Sequence, residues 1–395
     1  MGIISYFYIV GATLIWLLFK FRRDSIAIFL ILVFYEGFFS YHGENIENIY
    51  KVILAFYSFH LFIQYNLAKL PSKSEKGVKW SFLLFSISYY TSAIFNSDPI
   101  IMVLSQYFAK FLPVLITYLL FRKSYLYYPE KMQKINKLFF MLIVVQVVVS
   151  IAKYNLLGLV EGIVGTMSSK GGSLATSFPV FAVVFLYLYR NGKLERFDWI
   201  LLIGLLFLGF TSNKRAIWFI MPAVLMLIFI YVPQKKLTKQ ILFTLPFIPL
   251  IFYYGVKLNP SLNPERKVGG SFDFNYMMDY SMRYSFGSED QIQEELAYGR
   301  ISSSFLLWQR LLKLDINTHD LLGIGQKKVR STTYADFDAF NTGLATKMAL
   351  NGFYRSYLTT GFLGVFAILS WFYWAVSKIK HNRLRYTMLI LLVWE

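Results

Sequence analysis

Trp199-Ile200-Leu201-Leu202-Ile203-Gly204-Leu205-Leu206-Phe207-Leu208-Gly209-Phe210 runs into Thr211-Ser212-Asn213-Lys214-Arg215 and then into a second apolar run, Ala216–Val232. Two apolar segments joined by so few polar residues read as two membrane helices and a tight turn. The turn also carries a chemical signal. Lys214 and Arg215 open a helix, where the macrodipole already supplies partial positive charge. Backbone amides at a helix start, together with a guanidinium, make a place for an anion.

Segments of this kind recur along the whole chain. Of its 395 residues 56% are hydrophobic and 19% aromatic, and the mean hydropathy is +0.48. Repeated apolar runs of roughly 17–25 residues predict transmembrane helices, hence an all-α, polytopic membrane bundle. The first apolar run precedes its positive charges and no small-residue cleavage pattern follows, so no cleavable signal peptide is expected. The absence of cysteine excludes disulfides, thiolate metal ligands and thiol nucleophiles. The net charge of +18 lies in short loops between apolar runs. That placement is a topology signal rather than a nucleic-acid surface, and no nucleic-acid partner is expected.

The predicted spans are Ile3–Phe19, Ser25–Tyr41, Ile49–Leu67, Trp80–Phe95, Ile100–Phe121, Leu138–Leu157, Ser173–Tyr189, Trp199–Phe210, Ala216–Val232, Ile241–Val256 and Gly352–Val376. The closing run Tyr386–Trp394 is too short to span, which gives about 11–12 membrane segments in all. Every second loop is rich in Lys and Arg: Lys20 to Arg23, Lys69 to Lys79, Arg122 to Lys137, Arg190 to Arg196, Lys235 to Lys239 and Lys378 to Arg385. The positive-inside rule puts these loops in the cytoplasm. The Gly-rich segment Gly158–Gly172, the Lys214-Arg215 turn and the long polar segment Lys257–Leu350 then face outward.

This predicts a first part of the bundle over 1–256, a periplasmic loop domain over 257–350 and C-terminal membrane helices over 351–395. The loop domain has structure of its own. Ser288-Glu289-Asp290-Gln291 has the spacing of a capping box. Ile301, Phe305, Trp308 and Leu312 share a helical face from about Arg300 to Lys313, and Phe337, Phe340, Leu344 and Met348 share another. Such faces suit a lid on the membrane surface, or pack on each other.

The motifs resemble a known family. Gly299-Arg300 is followed by Trp308, then by Leu322-Gly323-Ile324-Gly325, then by Asn351-Gly352-Phe353-Tyr354-Arg355-Ser356-Tyr357-Leu358 and Gly361-Phe362-Leu363-Gly364. This order resembles the C-terminal signature of the O-antigen polymerase/ligase family. Ser212–Ala216 is similar to that family's S-R-[GA] turn with an added Lys, and Gly165–Ala175 to its G-x-x-x-x-N-x-x-A stretch without the Asn. Ligase members carry His directly before the Asn; here that position is Leu350, which favours the polymerase branch. The resemblance implies a GT-C-like membrane glycosyltransferase working without metal or other cofactor. It implies undecaprenyl-diphosphate-linked oligosaccharide as substrate at the periplasmic face of the bacterial inner membrane. Membrane lipid and a chain-length regulator protein are the further partners it implies.

A departing lipid diphosphate needs its charge stabilised, and without a metal Arg is the side chain best suited to do so. Arg215 is the first candidate and Arg300 the second; Lys214, Asn351, Arg355 and Tyr357 complete the candidate substrate-binding set. The alternatives are a snorkelling cation for Arg215 and a surface pair with Glu294 or Glu295 for Arg300. An acceptor hydroxyl calls for a base. His319 is the candidate, with a solvated loop residue as the alternative. Glu36, an acid inside the second span, is a further suspect. Asp336-Phe337-Asp338 has a metal-like spacing but no convergent third ligand, so no metal is expected. Two other readings stand beside the polymerase: the ligase of the same family, and a lipid-linked sugar flippase. Two similar halves would mark a transporter, and the sequence shows none.

Overall fold

The computed structural model describes residues 2–67, 73–158, 164–167, 174–190, 194–211, 246–286, 312, 316–330 and 352–377. Among these the regular structure is helical, with no strand. A helix lies at every predicted span except Ala216–Val232, which falls outside the described residues. Five of the described helices are long and apolar enough to cross a membrane. Their outward faces are apolar: Tyr8, Ile15, Trp16 and Phe19 on the first helix, and Ile49, Val52, Phe56, Phe59 and Ile63 further on, are all exposed. Polar residues such as Ser58, Gln146, Ser150 and Thr166 are buried instead. Apolar surface outside and polar groups inside is the arrangement of a protein solvated by lipid.

The chain clusters into two units, each assembled from separate stretches of sequence. The first comprises Met1–Ala68 and Phe108–Asp273. It contains α1 (Gly2–Lys20), α2 (Ser25–Phe34), α3 (Glu36–Tyr41) and α4 (Glu44–Gln64). The predicted second span is therefore two helices with Tyr35 between them. Asp24 starts α2 by accepting the amides of Ile26 and Ala27, both at 3.1 Å, which satisfies two donors the helix itself cannot. Tyr35 and Tyr50 are both buried. Their hydroxyls donate to Thr13 Oγ1 at 2.9 Å and to the Leu32 carbonyl at 2.9 Å.

The second stretch of this unit begins inside a π-helical turn, Tyr107–Phe111, that interrupts the fifth predicted span between α6 (Ile100–Gln106) and α7 (Leu112–Tyr127). It continues through α8 (Pro129–Leu157), α9 (Leu174–Tyr189), α10 (Arg196–Thr211) and α11 (Phe247–Leu258). Helix α8 starts more than two turns before its apolar run at Leu138, with Pro in its first turn and Glu130 beside it. Both residues suit a helix N-terminus, and Gly158, at φ 78°, ends it. Its inward face carries Leu138, Leu142, Gln146, Val149, Ser150 and Lys153. Arg190, at the end of α9, is held by Asp198, fully buried, whose carboxylate lies 2.9 Å from Arg190 Nε. That hydrogen-bonded partner raises the Arg190 guanidinium further above its ordinary value.

The second unit comprises Lys69–Tyr107 and Phe274–Glu395. It contains α5 (Lys73–Phe95), α6, α12 (Phe274–Phe286), α13 (Thr318–Leu322), α14 (Gln326–Arg330) and α15 (Gly352–Ser377). α5 packs along α15 on a stripe of small residues, Gly77, Ser81, Ser88 and Ser92. Small side chains let two helix backbones approach closely, and at Gly77 a Cβ would enter the Trp374 ring. The predicted eleventh span is not one straight helix. Gly361 has φ 67° and ψ −169° inside it, so α15 is broken there.

Candidate functional site

The break in α15 is where the second unit brings its motifs together. Three consecutive carbonyls before the break accept hydrogen bonds from outside the helix. Leu358 O accepts the Ile324 amide at 2.7 Å. Thr359 O accepts Ser92 Oγ at 2.6 Å, and Thr360 O accepts Ser88 Oγ at 2.8 Å. A helix broken among apolar surroundings needs such partners, because lipid would offer none. The serines of α5 and the amide of Ile324 supply them.

The loop that brings Ile324 is itself closely built. Asn317 caps α13 by accepting the Asp320 amide at 3.0 Å, while Asp320 accepts the Asn317 amide at 2.9 Å. Asp320 is buried, and the Tyr357 hydroxyl donates to its other oxygen. Two glycines let the loop meet α15 backbone to backbone. A Cβ on Gly323 would lie 2.5 Å from the peptide of Thr359 and Thr360, and one on Gly361 would enter the Leu321 carbonyl. On the other side Asn96 Nδ2 donates to Gly323 O at 3.0 Å. Asp98 accepts the amides of Gln326 and Lys327, at 2.6 Å and 3.2 Å, at the start of α14. The turn after α5 thus anchors the loop after α13.

His319 sits in this assembly. It belongs to α13, is half-buried, and its ring meets Phe95 edge-on with centroids 5.4 Å apart. The reading of His319 as a solvated loop residue is therefore corrected: capping by Asn317 and packing on Phe95 fix it in place. Arg355 is exposed, one turn before Thr359, whose hydroxyl donates to the Arg355 carbonyl at 2.8 Å. The motif puts Tyr357 among the candidate substrate-binding residues. It is fully buried with its hydroxyl on Asp320, so it holds the loop. Arg215, Lys214, Arg300 and Asn351 lie outside the described residues, as do the two amphipathic faces except Leu312.

No family model matches this chain, and neither a curated protein nor a solved structure does.

The first unit has a second break, at Tyr35, with the same logic. Thr166 Oγ1 donates to Phe34 O at 2.6 Å, and Thr166 O accepts the Phe38 amide at 3.2 Å. Gln146 grips the same residue from α8: Nε2 donates to Thr166 Oγ1 at 2.7 Å and Oε1 accepts the Thr166 amide at 2.8 Å. Ser150 Oγ accepts the Gly165 amide at 2.7 Å. Glu36 follows this break and opens α3. Among the described residues no three His, Asp or Glu converge as a metal site.

Of the residues that build both sites, Asn96, Asp98, Asp320 and Gln146 carry no motif signal, and Thr166 falls at a variable position of the Gly165–Ala175 stretch. One pattern does point to the helix pair that frames the first of them: the stripe of Gly77, Ser81, Ser88 and Ser92 marks a close helix contact by residue size alone.

Proposed function

We propose that this chain is a membrane glycosyltransferase of the O-antigen polymerase type, GT-C-like, acting at the periplasmic face of the bacterial inner membrane. It transfers a growing glycan from undecaprenyl diphosphate to the next lipid-linked repeat unit. In the reaction an acceptor hydroxyl oxygen bonds to the anomeric carbon of the donor. The bond from that carbon to the diphosphate oxygen breaks, the diphosphate leaves with the electron pair, and the hydroxyl proton passes to a base. Arg215 and Arg300 stabilise the leaving diphosphate, His319 takes the proton, and Lys214, Asn351 and Arg355 hold the substrates. No metal is needed where guanidinium groups carry the charge.

The observation that supports this reading is the meeting of two motif parts far apart in sequence. The Leu322–Gly325 turn and the Leu358–Gly364 segment share a backbone hydrogen bond and two glycine contacts, as expected if the signature marks one functional assembly. His319 and Arg355 are carried by the elements so joined.

The test is genetic and biochemical. A strain lacking the chain should display lipid A core capped with a single repeat unit; core bearing no repeat would indicate the ligase instead. Arg215→Ala should abolish polymer at normal expression, and Arg215→Lys should recover part of it because the charge remains without the fork. Loss of a charge-assisted bond made in the transition state is worth about 10–100-fold in rate. A full polymer ladder from Arg215→Ala would remove Arg215 from the mechanism.

A further inference from the structure

Helix α12 presents different chemistry on different flanks. One flank is buried: Met277 is 2% exposed, with Tyr276 and Tyr280 half-buried beside it. Another is charged: Asp279 and Arg283, both exposed and paired at 2.5 Å, are the only charged residues in the helix. Between them runs an apolar flank that the protein leaves uncovered. Phe274, Met278, Met282 and Phe286 lie four residues apart in one row along the helix, and each is 44–54% exposed.

The chain just before α12 points to what that row meets. Near its end α11 carries exposed Tyr253 and Tyr254, with the Lys257 ammonium 5.4 Å from the centre of the Tyr253 ring. Tyrosines and a lysine at the end of an apolar helix mark the boundary between acyl chains and headgroups. The loop that follows turns back on this boundary. Asn263 Nδ2 donates to Asn259 O at 3.0 Å and to Lys267 O at 2.8 Å, and the Gly269 amide donates to Lys257 O at 2.9 Å. Phe272 then packs on the Tyr253 ring, with centroids 5.2 Å apart. Phe274 is two residues further on, so α12 starts within about 7 Å of a residue held at the lipid boundary.

We infer that α12 is an interfacial helix: Phe274, Met278, Met282 and Phe286 enter the headgroup–acyl boundary of the bilayer and tether the start of the long outer segment to it. An apolar row flanked by charged residues is what such a helix needs, because its polar side stays in water. Asp279 and Arg283 cancel, so apolar burial drives the contact rather than attraction to anionic lipid. The tether uses no group from the reaction proposed above and stands whichever activity the chain carries.

The test is spin labelling of the full chain in phosphatidylcholine nanodiscs, with Met278→Cys, Met282→Cys and Arg283→Cys made one at a time in a sequence that has no other cysteine. Each label is challenged with oxygen, which concentrates in lipid, and with a nickel chelate, which stays in water. The labels at Met278→Cys and Met282→Cys should favour oxygen, at a depth of about 5–10 Å, and the label at Arg283→Cys should favour nickel. Replacing part of the phosphatidylcholine with phosphatidylglycerol should leave these preferences unchanged. Adding Met278→Asp should shift the label at Met282→Cys several-fold toward nickel. Nickel access at Met278→Cys and Met282→Cys equal to that at Arg283→Cys overturns the inference, because water then covers the row. Protection of both labels from both reagents overturns it as well, because another segment of the chain or a second copy then covers the row. An oxygen preference that appears only with phosphatidylglycerol also overturns it, since charge would then drive the contact.

Discussion

Gly361→Ala tests the broken helix. Gly361 has φ 67° and ψ −169°, a region open essentially to glycine alone and costing other residues about 1–3 kcal/mol. The added Cβ would also enter the Leu321 carbonyl and lie 2.5 Å from the Leu322 amide nitrogen. Both neighbours are backbone, so no side chain can rotate away. The loop must withdraw, which weakens the bonds from Ile324 N to Leu358 O at 2.7 Å and from Asn96 Nδ2 to Gly323 O at 3.0 Å. Each is worth about 0.5–1.5 kcal/mol net. Backbone cost and lost bonds together come to about 2–6 kcal/mol, against total stabilities of about 5–15 kcal/mol. The assay is thermal unfolding of the purified protein in detergent, followed by tryptophan fluorescence, where a drop of about 2–7 °C is expected. Gly11→Ala is the control: Gly11 is inside α1 and nothing lies within 4 Å of the new methyl. It should stabilise by about 0.5–1 kcal/mol. An unfolding midpoint for Gly361→Ala equal to the wild type would refute the broken-helix reasoning.

Three other outcomes are expected. Ser92→Ala removes the donor to Thr359 O at 2.6 Å and leaves a buried carbonyl, so SDS titration should show a loss of about 1–3 kcal/mol; resistance equal to wild type would mean that Thr359 finds another donor. Gln146→Leu keeps the volume but strips both bonds to Thr166, and should cost about 1–3 kcal/mol in the same titration, whereas no change would dismiss the Thr166 anchor. Because the chain has no cysteine, Ser288→Cys provides a single labelling site: a membrane-impermeant maleimide should reach it from outside the intact inner membrane, and labelling only after permeabilisation would reverse the topology.

Apolar run length determined where the helices lie. It works because a spanning helix must satisfy its own backbone and cover it with apolar side chains, a local requirement written into consecutive residues. The runs at Leu138–Leu157 and Ser173–Tyr189 became helices for that reason. The same rule is blind to interruptions. Nothing in the local composition of Ser25–Tyr41 marks Tyr35 as a break, and Gly361 permits a break without requiring one, because the groups that make a break tolerable come from elsewhere in the chain. Thr166 satisfies the first, and Ser88, Ser92 and Ile324 satisfy the second. The loop around His319 shows the same division. His319 stands out by residue type, but its fixed position depends on Asn317, Phe95 and the Asp320–Tyr357 bond. Tyr357 shows the converse: its place in a motif suggests a ligand-binding role, and burial turns it inward. Residue type and periodicity act along the chain, so the sequence alone determined the membrane helices and the candidate charges. Satisfying buried backbone groups acts between distant segments, so only the tertiary structure decided where the helices break and which side chains hold them.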